Sequence, residues 1–158
     1  MAGKKKPVVV TIGVFDGVHA GHLALLSEAR SIADSRGARL VAASFDPHPA
    51  SVLRAKEFLG LLTLPSYRTK LLKAAGVDAV EFLEFNDSLR RLTPDEFVDE
   101  ILVSQLAADV IVVGSNFRFG NKASGDVSVL QALATKFGFE VEVVAIPGNR
   151  RSCRVKVQ

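Results

Sequence analysis

The sequence predicts an α/β domain built on an open, doubly wound parallel sheet. Runs rich in β-branched residues recur along the chain, and segments with apolar residues at helical spacing separate them. Glycine, proline or aspartate marks most of the junctions between these segments. Strands that alternate with helices in this way pair in parallel through right-handed crossovers. We therefore expect five parallel strands with helices packed on the sheet.

The strands are predicted from short runs of β-branched and other apolar residues. The first run, VVVTI, and the fourth, VIVVG, are uninterrupted, as is typical of strands that are buried on both faces. The second run ends at Asp46 and the proline that follows it. In chain order, the predicted strands cover residues 8–12, 40–45, 80–85, 110–114 and 141–144.

The helices are predicted between the strands from apolar residues three or four positions apart. Gly37 suits the end of the first helix, because glycine readily adopts the left-handed conformation found there. Thr93 and Pro94 predict a helix start, with a capping hydroxyl and a proline at the first helical position. Asp126 is expected to cap the last helix rather than to bind a metal. In chain order, the predicted helical segments cover residues 23–33, 51–56, 67–75, 93–102 and 126–137.

Composition is that of an ordinary globular protein. Of the 158 residues, 48% are hydrophobic and 23% are charged. No apolar run approaches the roughly 18–20 residues of a membrane-spanning helix, and the lysine-rich N-terminus lacks the apolar region of a signal peptide. A single cysteine, Cys153, excludes an internal disulfide and favours a reducing compartment. We expect one domain over residues 1–158, located in the cytoplasm and without a membrane partner.

The positive charge is concentrated at the two ends of the chain. The 20 basic residues include seven terminal ones, at positions 4, 5, 6, 150, 151, 154 and 156. A nucleic-acid-binding domain more often carries a basic stripe across its folded surface, so nucleic acid is not expected as a partner. The C-terminal group suits a compact polyanion such as a nucleotide phosphate, although solvated tails are an equally good interpretation.

The loop after the first predicted strand carries the strongest chemical signal. It reads GVFDGVHAGH over residues 13–22, and its glycines let the backbone approach a ligand closely. The helix that follows presents free N–H groups at its positive end. His19 and His22 are three positions apart, so both imidazoles can face one anion and donate to phosphoryl oxygens. A zinc site is disfavoured because no third ligand lies nearby; two surface histidines are the remaining alternative.

Two further segments follow predicted strands, where open α/β sheets bind their ligands. Pro47, His48 and Pro49 form a rigid segment that can present the imidazole and wall an aromatic ligand, or simply reverse the chain. The FRFG segment at residues 117–120 places two aromatic rings around Arg118, which suits a flat ring system and a phosphate. A core phenylalanine beside an exposed arginine is the alternative. Asn116 offers both a donor and an acceptor.

Taken together, these segments resemble a known family. HAGH at residues 19–22 is similar to the HxGH signature of nucleotidyltransferases, and the longer GVFDGVHAGH stretch resembles the adenylyltransferase module of bacterial bifunctional riboflavin kinase/FAD synthetases. The likeness runs from about Val8 to the end of the chain and implies a Rossmann-like nucleotidyltransferase fold. Three further matches occur in the order of the family: FDPHP at 45–49, LT at 62–63 with KLL at 70–72, and VVGSNFRFG at 112–120 with GD at 125–126.

This resemblance implies transfer of AMP from ATP to FMN, giving FAD and pyrophosphate, with Mg²⁺ as cofactor and no metal ligand assigned in the protein. By resemblance, the catalytic residues are His19, His22, Asn116 and Arg154. The implied ATP-binding residues are Gly13, Phe15, Asp16, Gly17, Gly21, Ser152 and Lys156. The implied flavin-binding residues are Pro47, His48, Pro49, Phe117 and Arg118.

The C-terminal segment departs from the family pattern. The family carries an ISSTRIR-like sequence, whereas Arg151 and Cys153 here replace hydroxyl-bearing residues in RSCRVK. No riboflavin kinase domain is expected within the 158 residues. Two alternatives therefore stay open: an HxGH nucleotidyltransferase for another phosphorylated small molecule, or a flavin- or nucleotide-binding module without turnover. ATP and FMN are the expected partners, and the sequence does not predict an oligomeric state.

Overall fold

Five parallel strands form one sheet in the computed structural model, which describes residues 6–13, 15, 20–46 and 65–145. The strand order is β3-β2-β1-β4-β5, so the sheet grows outward in both directions from β1. This order confirms the predicted doubly wound α/β class. The strands are β1 Val8–Ile12, β2 Arg39–Asp46, β3 Ala79–Glu84, β4 Val110–Gly114 and β5 Glu140–Val144.

The helices lie between the strands, close to the predicted positions. They are α1 Ala20–Arg36, α2 Pro65–Ala74, α3 Asp87–Arg90, α4 Pro94–Phe97 with its π-helical continuation Val98–Gln105, the 3₁₀ turn Asn121–Ala123, and α5 Val127–Phe137. The π-helix differs from the α-helix that the apolar spacing predicts. Val98, Ile101 and Leu102 face the core with either helical pitch, so their spacing does not distinguish the two. The predicted helix over residues 51–56 lies outside the described residues.

Local side-chain bonds define two of the helix starts, as the sequence predicts. At α4, Thr93 Oγ1 accepts from the Glu96 N–H at 3.2 Å, and the Glu96 carboxylate accepts from the Thr93 N–H at 2.9 Å. At α5, Asp126 Oδ1 accepts from the Val129 N–H at 3.0 Å. The predicted capping role of Asp126 is therefore confirmed.

Helices cover both faces of the sheet, and strand side chains alternate between them. One face packs against α1 and α2, with strand residues Val9, Leu40, Ala42, Val110 and Val112 in its core. The opposite face packs against α4, the π-helix and α5, with strand residues Val10, Ile12, Val41, Ala43, Ile111 and Val113. Both cores are needed because the central strands expose almost none of their side chains to solvent.

The order of the strands determines which loops meet. β1 pairs with β2 on one side and with β4 on the other, and Thr11 lies opposite both Ala42 and Val112. The carboxyl ends of β1, β2 and β4 therefore lie side by side at one edge of the sheet. The chain changes direction across the sheet between β1 and β4, which is where open α/β sheets form ligand crevices. Within the described residues, none of the helices has the length and apolar character to cross a membrane.

Candidate active site

The turn after β1 is tightly packed around a buried aromatic ring. Gly13 extends the pairing of β1 with β2, because its N–H donates to the Ala43 carbonyl at 3.0 Å. Phe15 follows with a positive φ of 56° and is fully buried. A Cβ atom at Gly13 would lie 3.2 Å from Phe15 Cζ, so the glycine lets the ring lie directly against the backbone.

His22 lies in the first turn of α1, next to this ring. The Phe15 and His22 rings meet edge to face, with centroids 5.1 Å apart and an interplanar angle of 75°. The imidazole is half-buried, and Gly21 before it is buried. Because α1 begins at Ala20, the positive end of the helix dipole and the His22 ring are at the same end of the helix. This arrangement suits a bound anion.

A cavity of about 460 Å³ opens at the carboxyl ends of β2 and β3 and beside the loop that follows β4. Aromatic rings dominate its wall. Phe45 and Phe85 meet edge to face at 5.9 Å, while Phe97 packs against Phe119 at 5.6 Å. Its size and its mostly apolar lining are typical of small-molecule sites. A flat aromatic ligand would find ring faces and edges here to stack against.

The rim of this cavity is positively charged. Among its described lining residues are four basic side chains and no acidic ones; the basic residues are Arg90, Arg91, Arg118 and Lys122. Arg90 pairs with Asp87 at 2.9 Å. Within the described part of the chain, the other three form no ion pair. Three cations without acidic partners at the mouth of an aromatic cavity suit a ligand that carries a phosphate.

The loop after β4 is held in place by a short antiparallel bridge. Phe119 and Gly125 exchange two backbone hydrogen bonds, of 3.1 and 2.8 Å. Gly125 has no room for a side chain, because a Cβ atom there would lie 2.7 Å from Phe119 Cζ. Gly120 has a φ of 82° and packs against Pro94, where an added Cβ atom would lie 3.0 Å from Cγ. These contacts fix the Phe119 ring in the cavity wall.

A buried arginine ties α2 to the end of β2. Arg68 is only 1% exposed, and its guanidinium donates to Ser44 Oγ at 3.0 Å and to the Phe45 carbonyl at 3.2 Å. The guanidinium carbon also lies 5.6 Å from the centroid of the Phe82 ring. Because Phe45 lines the cavity, these bonds hold the strand at the point where it enters the cavity wall.

The clearest pKa shifts in the described residues occur at the opposite edge of the sheet. The Leu40 backbone N–H donates to Asp78 and, with Arg30, holds the pKa of that carboxyl below its usual range. The hydrogen bond from Arg36 likewise lowers the pKa of Glu140. These groups lie near the starts of β2, β3 and β5. They tie α1 to the sheet and are remote from the carboxyl edge.

Comparison with known proteins identifies the family. A family model described as FAD synthetase matches residues 2–151. This chain belongs to the FAD synthetase family. The bifunctional riboflavin kinase/FMN adenylyltransferase of Pseudomonas fluorescens is 40% identical over 139 residues, which cover 85% of this chain and 43% of the relative. That of Listeria monocytogenes is 36% identical over 138 residues, covering 86% and 43%. The resemblance predicted from the motifs is confirmed.

The chain spans less than half the length of these curated relatives. A solved structure shares its architecture: the crystal structure of a macrolide-efflux protein from Streptococcus pneumoniae superimposes with a TM-score of 0.75 at 28% identity. That match covers 90% of this chain and 46% of the other. The prediction that residues 1–158 form a single domain stays a prediction.

The structure brings some of the predicted FAD synthetase site residues together. Arg118 lines the cavity, while Phe117 stacks on Phe119 at 5.5 Å, behind the wall. Asn116 is exposed just after β4 and does not line the cavity. As described above, the segment after β1 contains Gly13 and Phe15, and the first turn of α1 contains Gly21 and His22. The remaining predicted residues lie outside the described residues: Asp16, Gly17, His19, Pro47, His48, Pro49, Ser152, Arg154 and Lys156. Their roles stay predictions.

Sequence reasoning missed several residues of the cavity. Phe85 follows β3 directly, whereas the predicted strand extends to residue 85, so the rule that ligands bind beyond strand ends did not select it. Arg90 and Arg91 form a basic pair in the segment after β3, which was visible as a charge cluster. Lys122 has no such signal, because its position depends on a backbone φ of 56° within the 3₁₀ turn.

Proposed function

We propose that this chain is an FMN adenylyltransferase, which transfers AMP from ATP to FMN and releases pyrophosphate. The observation that carries the proposal is the aromatic cavity with its basic rim, at the same sheet edge as the turn that holds His22. Membership of the FAD synthetase family supports the choice of FMN as the acceptor. The single cysteine favours a reducing compartment, and we place the reaction in the cytoplasm.

The cavity provides for both parts of FMN. Phe45, Phe85 and Phe119 offer apolar and aromatic surface to the isoalloxazine ring system. Arg91 and Arg118 supply charge for the phosphate, which has to reach the crevice between β1 and β4 to react. By resemblance to the family, we also assign Pro47, His48 and Pro49 to the flavin.

The chemistry requires positioning more than proton transfer. A phosphate oxygen of FMN attacks the α-phosphorus of ATP, and the bond from that phosphorus to the bridging oxygen breaks as pyrophosphate leaves with the electron pair. No general base is needed, because a phosphate monoester is already anionic at neutral pH. Catalysis then consists of alignment and stabilisation of the charge that builds on the phosphates. We assign this stabilisation to His19, His22 and the N-terminus of α1.

Leaving-group binding is assigned by resemblance to the C-terminal segment, with Ser152, Arg154 and Lys156 on the β- and γ-phosphates. Asn116 remains a candidate for orienting the acceptor phosphate. Within the described residues, no group of three or more His, Cys, Asp or Glu side chains can hold a metal ion. We propose that Mg²⁺ arrives with the substrate as MgATP, because Mg²⁺ is usually bound through substrate phosphates together with only one or two carboxylates.

The decisive experiment incubates the protein with FMN and MgATP and follows FAD and pyrophosphate by chromatography. Parallel reactions contain riboflavin, nicotinamide mononucleotide or pantetheine phosphate in place of FMN. We expect FAD from FMN and no dinucleotide product from the others. Turnover of another acceptor in preference to FMN would overturn the substrate assignment. FMN binding without pyrophosphate release would favour the binding module without turnover.

A variant separates catalysis from binding in the same assay. His22→Ala removes a group that we place on the ATP phosphates, so kcat should fall by about 100-fold. The dissociation constant for FMN should change by less than about twofold, because the imidazole is outside the described cavity lining. Unchanged turnover would rule out this role for His22.

A further inference from the structure

We propose that Phe15 is a positioning residue that fixes the orientation of the His22 imidazole, instead of lining the nucleotide pocket. The kinetic part of this inference rests on the proposed adenylyltransferase function. The packing part rests on three observations at the turn after β1: the burial of Phe15, its backbone conformation, and its contacts with Gly13 and His22.

Burial excludes direct contact with a nucleotide. Phe15 is 0% exposed and belongs to the core that α1 and α2 form on the sheet, together with Val9, Leu25 and Leu26. A ring without accessible surface has no face to offer to adenine or ribose. Its effect on the reaction therefore has to pass through a neighbouring side chain.

The backbone conformation indicates that this placement is specifically maintained. Phe15 has a φ of 56°, in the left-handed region that bulky side chains rarely adopt. Such a conformation persists only when the surrounding packing determines it, and it occurs preferentially at functional sites. An ordinary extended backbone would direct the ring elsewhere. The local strain is therefore maintained by the contacts that the ring makes where it is.

Those contacts link the backbone of the turn to the imidazole. The tip of the ring lies against Gly13, where a Cβ atom would be 3.2 Å from Phe15 Cζ. The same ring meets the His22 ring edge to face, with 5.1 Å between centroids. Rotation of the imidazole away from this geometry would break the ring contact. Because hydrogen bonds weaken steeply with misalignment, the ring plane determines whether an N–H of His22 reaches a phosphoryl oxygen.

The first test is a matched pair of substitutions. Phe15→Leu keeps the position apolar but removes the ring contact, and Phe139→Leu makes the same change at a buried site in the opposite core. We expect Phe15→Leu to lower kcat by about 10- to 100-fold while the KM values for ATP and FMN change by less than about threefold. We expect kcat of Phe139→Leu to stay within about twofold of wild type. Equal losses of kcat in the two variants would refute the positioning role. A raised KM for ATP with unchanged kcat would also refute it and would indicate that Phe15 lines the nucleotide pocket.

A second test does not depend on the folding of Phe15→Leu. The chain has three histidines, so the imidazole C–H signals of the wild-type protein are easily assigned by NMR with single His→Gln variants. We expect a nuclear Overhauser effect between the rings of Phe15 and His22. We also expect Gly13→Ala, whose added methyl group presses on the tip of the ring, to shift the His22 signals and to lower kcat. Absence of the Overhauser effect in wild type would refute the contact.

The two proposals fail in different ways. If the wild-type protein forms no FAD while the Overhauser effect is present, the adenylyltransferase assignment fails and the packing of His22 on Phe15 stands. If the wild-type protein forms FAD and Phe15→Leu turns over at the wild-type rate, the positioning role fails and the function stands.

Discussion

Replacing Gly125 by alanine should distort the aromatic cavity, although the substitution changes no exposed residue of the loop. A Cβ atom at this buried position would lie 2.7 Å from Phe119 Cζ and 2.8 Å from Cε1. Carbon atoms in contact prefer about 3.5 Å or more, so the ring tip must move by about 0.8 Å. Phe97 and Phe117 already pack against this ring, at 5.6 and 5.5 Å between centroids. We therefore expect the ring to move into the cavity that it lines.

The expected magnitudes follow from this displacement. Overpacking of this kind costs about 1–3 kcal/mol of unfolding free energy, or about 4–8 °C in Tm for a loss of about 2 kcal/mol in a domain of this size. A ring that intrudes by about 0.8 Å removes contact area from a stacked ligand. We expect FMN affinity to fall about tenfold, which corresponds to about 1.4 kcal/mol.

The assay compares Gly125→Ala with Gly138→Ala. Gly138 has a φ of 84° and no atom within 4 Å of the added Cβ, so alanine there is strained by about 1–2 kcal/mol but creates no clash. Both variants should lose stability in thermal unfolding, and only Gly125→Ala should bind FMN more weakly by fluorescence quenching or calorimetry. Wild-type FMN affinity in Gly125→Ala, or equal weakening in both variants, would show that Phe119 does not form part of the flavin site.

Three further perturbations test other parts of the structure. Arg118→Ala should raise the KM for FMN about tenfold or more in the FAD assay through loss of a charge-assisted bond, whereas Lys73→Ala, an exposed cation on α2 outside the cavity, should leave it unchanged. Arg68→Met should cost about 1–3 kcal/mol in denaturant unfolding, because the buried Ser44 hydroxyl and the part-buried Phe45 carbonyl each lose a donor. It should also weaken FMN binding more than ATP binding, and equal effects on both ligands would argue against a local role. At Asp78, the hydrogen bond from the Leu40 N–H lowers the pKa of the carboxyl group in the folded state below its ordinary 3.8. The ionised carboxylate therefore stabilises the folded protein above that pH, and this stabilisation is lost as the pH falls through the lower pKa of the folded state. The Tm difference between wild type and Asp78→Asn should therefore be present at neutral pH and vanish in strong acid, and a difference independent of pH would exclude this carboxylate as its source.

The sequence alone was sufficient for features that depend on neighbours in the chain. All five strands appear where runs of β-branched and other apolar residues predict them. In β1 and β4 the runs are uninterrupted because these strands are buried on both faces of the parallel sheet. The caps of Thr93 and Asp126 are equally local, since each side chain bonds an N–H three residues away. The motif after β1 and its family were also recognisable, because the resemblance rests on a continuous stretch of the chain, GVFDGVHAGH at residues 13–22.

Only the tertiary structure decided how the cavity is assembled and where the Phe15 ring lies. Phe45, Phe85 and Arg118 come from three different strand ends, and their meeting depends on the order β3-β2-β1-β4-β5, which no local periodicity specifies. The sequence assigned Phe15 to the nucleotide, whereas its burial and positive φ result from packing between β1 and α1. The sequence predicts Arg68 to be an ordinary cation on a helix, and only the packing of α2 against the end of β2 shows that it is buried. Secondary structure and capping follow from interactions over three or four residues, while the site is set by contacts between segments that the sheet order alone brings together.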